Sequence, residues 1–422
     1  MHARYWLFAG LVAVHATLAA ADPAPDPEHA AVLAYKAKDY AGFLKAMRAT
    51  YARDPARPSV VYNLASAEAL GGAPDEAIRT LQQLAATGLS FAIEQDGDFA
   101  GLVKRADFQA VVRTMARNRT PRGKAEPAFT LREPELLTEG VAYDPDGKTW
   151  FVSSVRHRKI VAIDASGQQR DFIPEASGGI AGVMGMSVDR ARRVLWASSA
   201  ALPQMLGYRP EDKGRSGLSA YELATGKLIA SYALPHDGKP HVLGDVIAAP
   251  DGDAYATDSA SSTIYRVAHG KLEVVLDGPF RSLQGLAITP DGKTLYVADY
   301  ELGLFALDLA SKALTRLTSA PGLVVTGIDG LYLHRGRLLA TQNGVEPRRV
   351  LELRLDAAGA RIAAQQVVLS GDPRTRDLSL GVVVDDTLYL NAAAGWEHYG
   401  QDGAAKAEPA APHVILKLAL PR

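Results

Sequence analysis

The stretch EGVAYDPDGKTWFVSS (residues 139–154) returns as QGLAITPDGKTLYVAD (residues 284–299) and, more loosely, as GDVIAAPDGDAYATD (residues 244–258). Each copy joins two short apolar runs, rich in β-branched and aromatic residues, through a Pro-Asp-Gly turn: Pro145-Asp146-Gly147, Pro250-Asp251-Gly252 and Pro290-Asp291-Gly292. Proline presets φ and glycine accepts φ > 0, so this is the chemistry of a tight hairpin between strands. Hairpins repeated every 40–60 residues or so are the signature of propeller blades.

Working outward, the innermost strands are expected to start near Glu139, Met184, Gly244, Gln284, Asp329 and Ser379, which makes six blades, the second being the weakest copy. Further strands follow each hairpin at 160–164, 218–222, 264–267, 303–307, 350–354 and 414–418. The last blade runs out of chain after three strands. A segment near 129–133 is expected to supply its fourth, so that no edge is left open.

Residues 28–117 read differently. Ala31, Ala34, Tyr35, Tyr40, Phe43 and Leu44 recur at helical intervals. The run Tyr62, Asn63, Leu64, Ala65, Ala69, Leu70, Gly71, then Pro74 to Ile78, resembles a tetratricopeptide repeat. Such a module is either a peptide-binding groove for a protein partner or a helical cap on the neighbouring domain. Residues 118–127 form a charged, proline-containing linker, and the propeller is expected over 128–422. The expected architecture is an all-β six-bladed propeller behind an α-helical, tetratricopeptide-like domain.

Bulk properties narrow the classes. The chain has 422 residues, 47% of them hydrophobic and 22% charged, with a formal net charge of −1 and no cysteine. Near-neutral charge gives no general attraction to nucleic acid or anionic membrane. Disulfides, thiolate metal sites and cysteine nucleophiles are excluded. The first 21 residues carry His2 and Arg4, an apolar run from Tyr5 to Leu18, and Ala19-Ala20-Ala21 before Asp22. That is the pattern of a cleaved secretory signal, too short to span a bilayer comfortably. The expected location is periplasmic or extracellular, with no membrane span after cleavage.

In a propeller the start of each innermost strand faces one mouth of the central channel, so the blade alignment lets that mouth be read off. It receives Glu139, Met184, Gly244 with Asp245 after it, Gln284, Asp329 and Ser379. Carboxylates converging on one axis repel unless a cation or basic partner joins them. Hard oxygen donors suit Ca²⁺ or Mn²⁺ better than Zn²⁺.

These Glu-Gly, Gln-Gly and Asp-Gly pairs, each leading into an apolar strand and a short turn, resemble the regucalcin/gluconolactonase family over about 136–418. The resemblance implies a catalytic divalent cation, commonly Ca²⁺, held by a Glu, two Asn and an Asp and serving lactone hydrolysis. Glu139 and Asp329 match the Glu and the Asp. Gln284 stands for one Asn, and Gly244 replaces the other and removes a ligand; Asp245 matches the Asp that follows it. The implied metal ligands are Glu139, Gln284 and Asp329, with Asp329 or Asp245 as the base that deprotonates water and His241, just ahead of Gly244, as a further candidate base. The implied substrate is a small lactone, ester or sugar-derived molecule. The other reading is a non-catalytic scaffold that binds a ligand or protein through the helical repeat and the propeller face.

Around the mouth, the basic run Arg156-His157-Arg158-Lys159 is either a lure for an anionic substrate or a solvated loop. Trp396, His398 and Tyr399, in the long last loop, are expected to form an aromatic lid or to pack against the helical domain. Nucleotide-binding and serine-hydrolase motifs are lacking from the sequence.

Overall fold

The computed structural model describes residues 26–421; the expected signal segment lies outside the described residues. The chain comprises a helical unit, chiefly residues up to Thr120, and a β unit that starts at Pro121.

The helical unit contains α1 (Pro27–Lys36), α2 (Tyr40–Arg53), α3 (Pro58–Leu70), α4 (Pro74–Ala86) and α5 (Ala106–Asn118). Proline opens α1, α3 and α4, where its missing N–H costs nothing. Asp26 and Asp39 cap α1 and α2 through their carboxylates. Buried alanines at 65, 77 and 85 let α3 and α4 approach closely around Leu81, Ile93, Phe99 and Phe108. The chain's own segment at 93–99 folds back over the face carrying Tyr35 and Tyr62. Tyr35 and Ser66 both donate to Asp98, at 2.9 and 2.6 Å, and the Tyr62 hydroxyl donates to Asp96 at 2.6 Å. Tyr62 also stacks on Phe91 with ring centroids 5.0 Å apart. The segment 93–99 thus supplies the acceptors for the hydroxyls of Tyr35, Tyr62 and Ser66.

The β unit is a six-bladed propeller of six separate sheets. Five blades are consecutive antiparallel meanders, at residues 141–173, 182–233, 243–277, 283–316 and 328–370. The fifth adds a two-residue parallel strand, Thr318–Ser319, at its rim. The sixth takes three strands from 381–419 and its outermost from Glu126–Thr130, which pairs antiparallel with Val414–Ala419. The expected closing strand is thus present, three residues earlier than the sequence suggested.

Blade-to-blade spacing is set at the start of the inner strands. The register slips at 183/186, 243/245, 283/286 and 328/331, so the pairs Met184-Gly185, Gln284-Gly285 and Asp329-Gly330, and Gly244 alone, form bulges. A bulge turns one side chain out of the ladder and into the channel. Its neighbouring glycine then faces the next blade's backbone. A Cβ on Gly140 would lie 2.6 Å from Met184 O, one on Gly185 would lie 2.8 Å from Asp245 Cα, and one on Gly285 would lie 2.5 Å from both Asp329 O and Leu331 N. Only glycine lets the inner strands close into so tight a ring.

Gly285→Ala is therefore expected to destabilise the propeller by about 1–3 kcal/mol, as overpacking against backbone does. A Cβ on Gly244 meets only Ser259 Oγ, at 2.9 Å. That hydroxyl can rotate away, so Gly244→Ala is expected to leave the urea midpoint almost unchanged. Equal losses in the two variants would contradict this account of the ring.

Candidate active site

The starts of the inner strands of blades 1 and 5 bring Glu139 and Asp329 to the same place. Both are 8% exposed. The Ser379 hydroxyl donates to Glu139 Oε1 at 2.6 Å and stands within reach of Asp329 as well, so one serine from blade 6 lies between the carboxylates of blades 1 and 5. Glu139 Oε2 accepts the indole N–H of Trp396. Asp329 Oδ2 accepts from Asn343 Nδ2 at 2.8 Å. Asn343 also donates to Leu378 O, and its Oδ1 accepts the Tyr300 hydroxyl at 2.9 Å, so Asp329 is aimed by a two-residue relay.

Asp245 occupies the glycine position of its bulge instead of the channel-facing one. Its Oδ1 accepts from Val246 N at 2.8 Å and its Oδ2 from Leu286 N at 3.3 Å, which ties blade 3 to blade 4. Gly244 holds the channel-facing position and supplies no side chain. Gln284 donates its amide to Ser282 Oγ at 3.2 Å, and its Oε1 takes no hydrogen bond among the described residues.

The electrostatics are those of acids gathered without counter-charge. Burial, followed by the charge of Asp329, pushes Glu139 up to about 8. Burial and then Asp245 raise Asp329, and burial raises Asp245 to about 7 even though the channel leaves it partly exposed. No arginine or lysine figures among the main influences on these three groups. Asp377, whose pKa burial also raises, adds to the repulsion on Glu139 and Asp329. Near pH 7 such a cluster holds either protons or a cation.

The donors fit a hard cation in kind: two carboxylates and an amide oxygen, with neither thiolate nor imidazole. Among the described residues no three His, Asp or Glu side chains converge as a ready metal cluster. Asp245 therefore does not complete a three-acid shell; a cation at Glu139 and Asp329 would depend on Gln284 and water for its remaining oxygens.

His241 has another assignment. Its Nδ1 lies 2.6 Å from Asp258 Oδ2 and its Nε2 lies 3.3 Å from Asp237 Oδ1. With both ring nitrogens engaged, the imidazole braces the 237–241 loop and leaves no free nitrogen for general-base work. The aspartates that end two of the repeated phrases explain why. Asp258 accepts from Val242 N, Ala260 N and Ser261 Oγ. Asp299 accepts from the N–H groups of Arg281, Ser282, Glu301 and Leu302 at 2.7–3.0 Å. These carboxylates clamp the loops that feed the mouth. Both aspartates close the recurring motif, which is the sequence signal for this role.

The basic run is equally committed. Lys159 binds Glu133 and Asp171 at 2.8 and 3.0 Å, His157 meets Glu175 at 3.2 Å, and Arg156 donates to Gln204 O at 3.0 Å while lying 4.9 Å over the Tyr399 ring. Arg158 is the exception, its Nε buried without a hydrogen-bond partner. No local sequence pattern marks Asn343.

Fold and site together define a six-bladed propeller with a paired-acid channel mouth. The family model described as "SMP-30/Gluconolactonase/LRE-like region" matches residues 137–316, so over that span the chain is similar to these lactonase-like propellers. Among solved structures, a gluconolactonase from Xanthomonas campestris is 19% identical, with 72% of this chain and 93% of that one covered and a TM-score of 0.47. A calcium-binding regucalcin from Agrobacterium tumefaciens gives 17%, 70%, 94% and 0.46. A luciferin-regenerating enzyme gives 14%, 71%, 96% and 0.49. No curated protein matches the sequence.

Proposed function

We propose that this protein is an exported, divalent-cation-dependent hydrolase of lactones or esters, with Ca²⁺ as the cation and the channel mouth as its active site. One observation carries the reading: Glu139 and Asp329 are buried around a shared serine, with no arginine or lysine among the main influences on either. The lactonase-like family match covers four of the six mouth positions, Glu139, Met184, Gly244 and Gln284, and ends before Asp329.

Glu139, Gln284 and Asp329 would hold the cation. When bound, it would supply Lewis-acid polarisation of the substrate carbonyl and stabilise the developing oxyanion. The chain's own residues do the rest. Asn343 fixes Asp329 by one oxygen and leaves the other to receive a proton from water. The indole of Trp396 covers Glu139 and keeps bulk water from its outer oxygen. Export rests on the signal-like residues 1–21.

A non-catalytic ligand-binding role is favoured by one specific observation. Both oxygens of Glu139 already have partners in Ser379 and Trp396, and Gly244 adds no ligand. The deciding experiment measures tightly bound Ca²⁺ in the purified mature chain and its turnover of a lactone panel with and without chelator. Chelator-sensitive hydrolysis is expected. Protein that holds no divalent ion and opens no lactone returns the site to simple binding.

A further inference from the structure

The mouth has two unlike sides. Blades 4, 5 and 6 bring Gln284, Asp329 and Ser379. Blade 2 brings Met184 to the same level, and Met184 packs with Leu137, Tyr399, Leu202, Val242 and Trp396 in one apolar cluster. Leu202, Val242 and Trp396 are only partly buried there. The cluster reaches the acids directly, because the Trp396 ring belongs to it while the Trp396 N–H holds Glu139. Gly244, two residues beyond Val242, leaves space where a side chain would project: a Cβ there meets nothing but Ser259 Oγ within 4 Å.

Two of the basic groups on this side are already engaged. Arg156 is bound to Gln204 and lies over Tyr399, and Lys159 is bound between Glu133 and Asp171. An anionic substrate would meet the repulsion of the acid pair at the mouth. A polyhydroxylated one would exchange water for methyl and indole surface, leaving its hydroxyls unpaired. An alkyl chain would gain from the same surface.

The geometry points to a neutral lactone or ester bearing an alkyl chain as the substrate class, with its carbonyl beside Glu139 and Asp329 and its chain across Met184, Leu202, Val242 and Trp396. This rests on the hydrolytic reading of the mouth. Met184 and Gly244 are then the specificity-determining positions: one supplies apolar surface, the other room.

The test compares γ-lactones of increasing alkyl length with glucono-δ-lactone in turnover, and, in parallel, 2-alkylcyclopentanones with unsubstituted cyclopentanone in calorimetric binding. The ketones mimic the ring and chain but cannot be hydrolysed. Both kcat/KM and ketone affinity are expected to rise about threefold to fourfold per methylene over the first few carbons. The sugar lactone is expected to be at least about tenfold worse than the best alkyl lactone. Met184→Asn should flatten the trend without abolishing folding, checked by its melting curve. A length trend in ketone binding without any turnover supports the alkyl site and removes the hydrolytic reading. Turnover with no length dependence, or with the sugar lactone preferred, overturns the alkyl site and keeps the hydrolase. Neither binding nor turnover overturns both.

Discussion

Glu139→Gln is expected to make the chelated protein more heat-stable than wild type at pH 8 while abolishing its response to divalent cations. The two effects have opposite signs because they have one cause. A carboxylate at 8% exposure, repelled by Asp329 and lacking a basic neighbour, destabilises the fold whenever it ionises without a cation. Glutamine keeps the shape and removes the charge. Its hydrogen bonds can be redrawn: Oε1 takes the Trp396 N–H, and Nε2 donates to Ser379, whose hydroxyl turns its own proton toward Asp329. Glu139→Ala would leave both partners without an acceptor and confuse the outcome. Melting with chelator and with Ca²⁺ separates the effects. The variant should melt several degrees above wild type in chelator, at about 2 °C per kcal/mol for a domain of this size. It should show no Ca²⁺-induced shift and lose on the order of 10²–10³-fold in lactone turnover. A variant that melts lower than wild type yet still responds to Ca²⁺ would show that Glu139 is only a structural acceptor for Ser379 and Trp396.

The parts of this site that the sequence disclosed are those that repeat. The Pro-Asp-Gly turns align the blades, the alignment numbers the inner strands, and numbering them places Glu139, Gln284 and Asp329 at one mouth. A repeat reports backbone geometry, so it cannot say which loop folds over the repeat. Trp396 meets Glu139 from 257 positions away, and Ser379 from 240. Ser379 is a mouth position that the blade alignment supplies, whereas Trp396 arrives on a non-repetitive loop of the last blade. Asn343 likewise reaches Asp329 only because Tyr300, on the neighbouring blade, holds its other end. The misreadings have the same origin. His241 and the basic run at 156–159 were judged by residue type, and their functions were decided by Asp258, Glu133 and Asp171, partners that no local pattern names. Asp245 was assigned to the channel by its neighbour Gly244, whereas the bulge gives the two residues different directions.

The other large effect expected is a fall in stability of the chelated protein as pH rises from about 6.5 to 8.5, reversed by Ca²⁺. Burial raises the carboxyl pKa of Glu139, Asp245, Asp329 and Asp377 above their unfolded values of 4.5 and 3.8. A group that binds its proton more tightly when folded contributes stability that is complete below the unfolded pKa and is lost as pH climbs through the folded one. The loss therefore extends up through about 7 for Asp245 and about 8 for Glu139. Two other sets of groups stay out of this window. Carboxylates held down by ion pairs, such as Asp144 on Arg193, lose their contribution only in acid well below pH 5. Buried His413, its pKa lowered from 6.5, opposes the trend only as pH falls past that value. Between 6.5 and 8.5 the slope of melting temperature against pH thus belongs mainly to the acids of the mouth and to their neighbour Asp377. In chelator it should be negative, amounting to several degrees across the window, and Ca²⁺ should flatten it by taking the place of the protons. Its benefit should grow with pH, since a cation must compete with protons at the lower end. A flat profile in chelator would mean that these carboxylates ionise freely and that their burial is compensated by groups outside the mouth. A negative slope that Ca²⁺ leaves untouched would keep the acids and remove the ion. Repeating the titration on Asp329→Asn then assigns the slope: the coupling to Glu139 predicts that neutralising one acid lowers the pKa of the other, so the variant should lose more than its own share of the pH dependence.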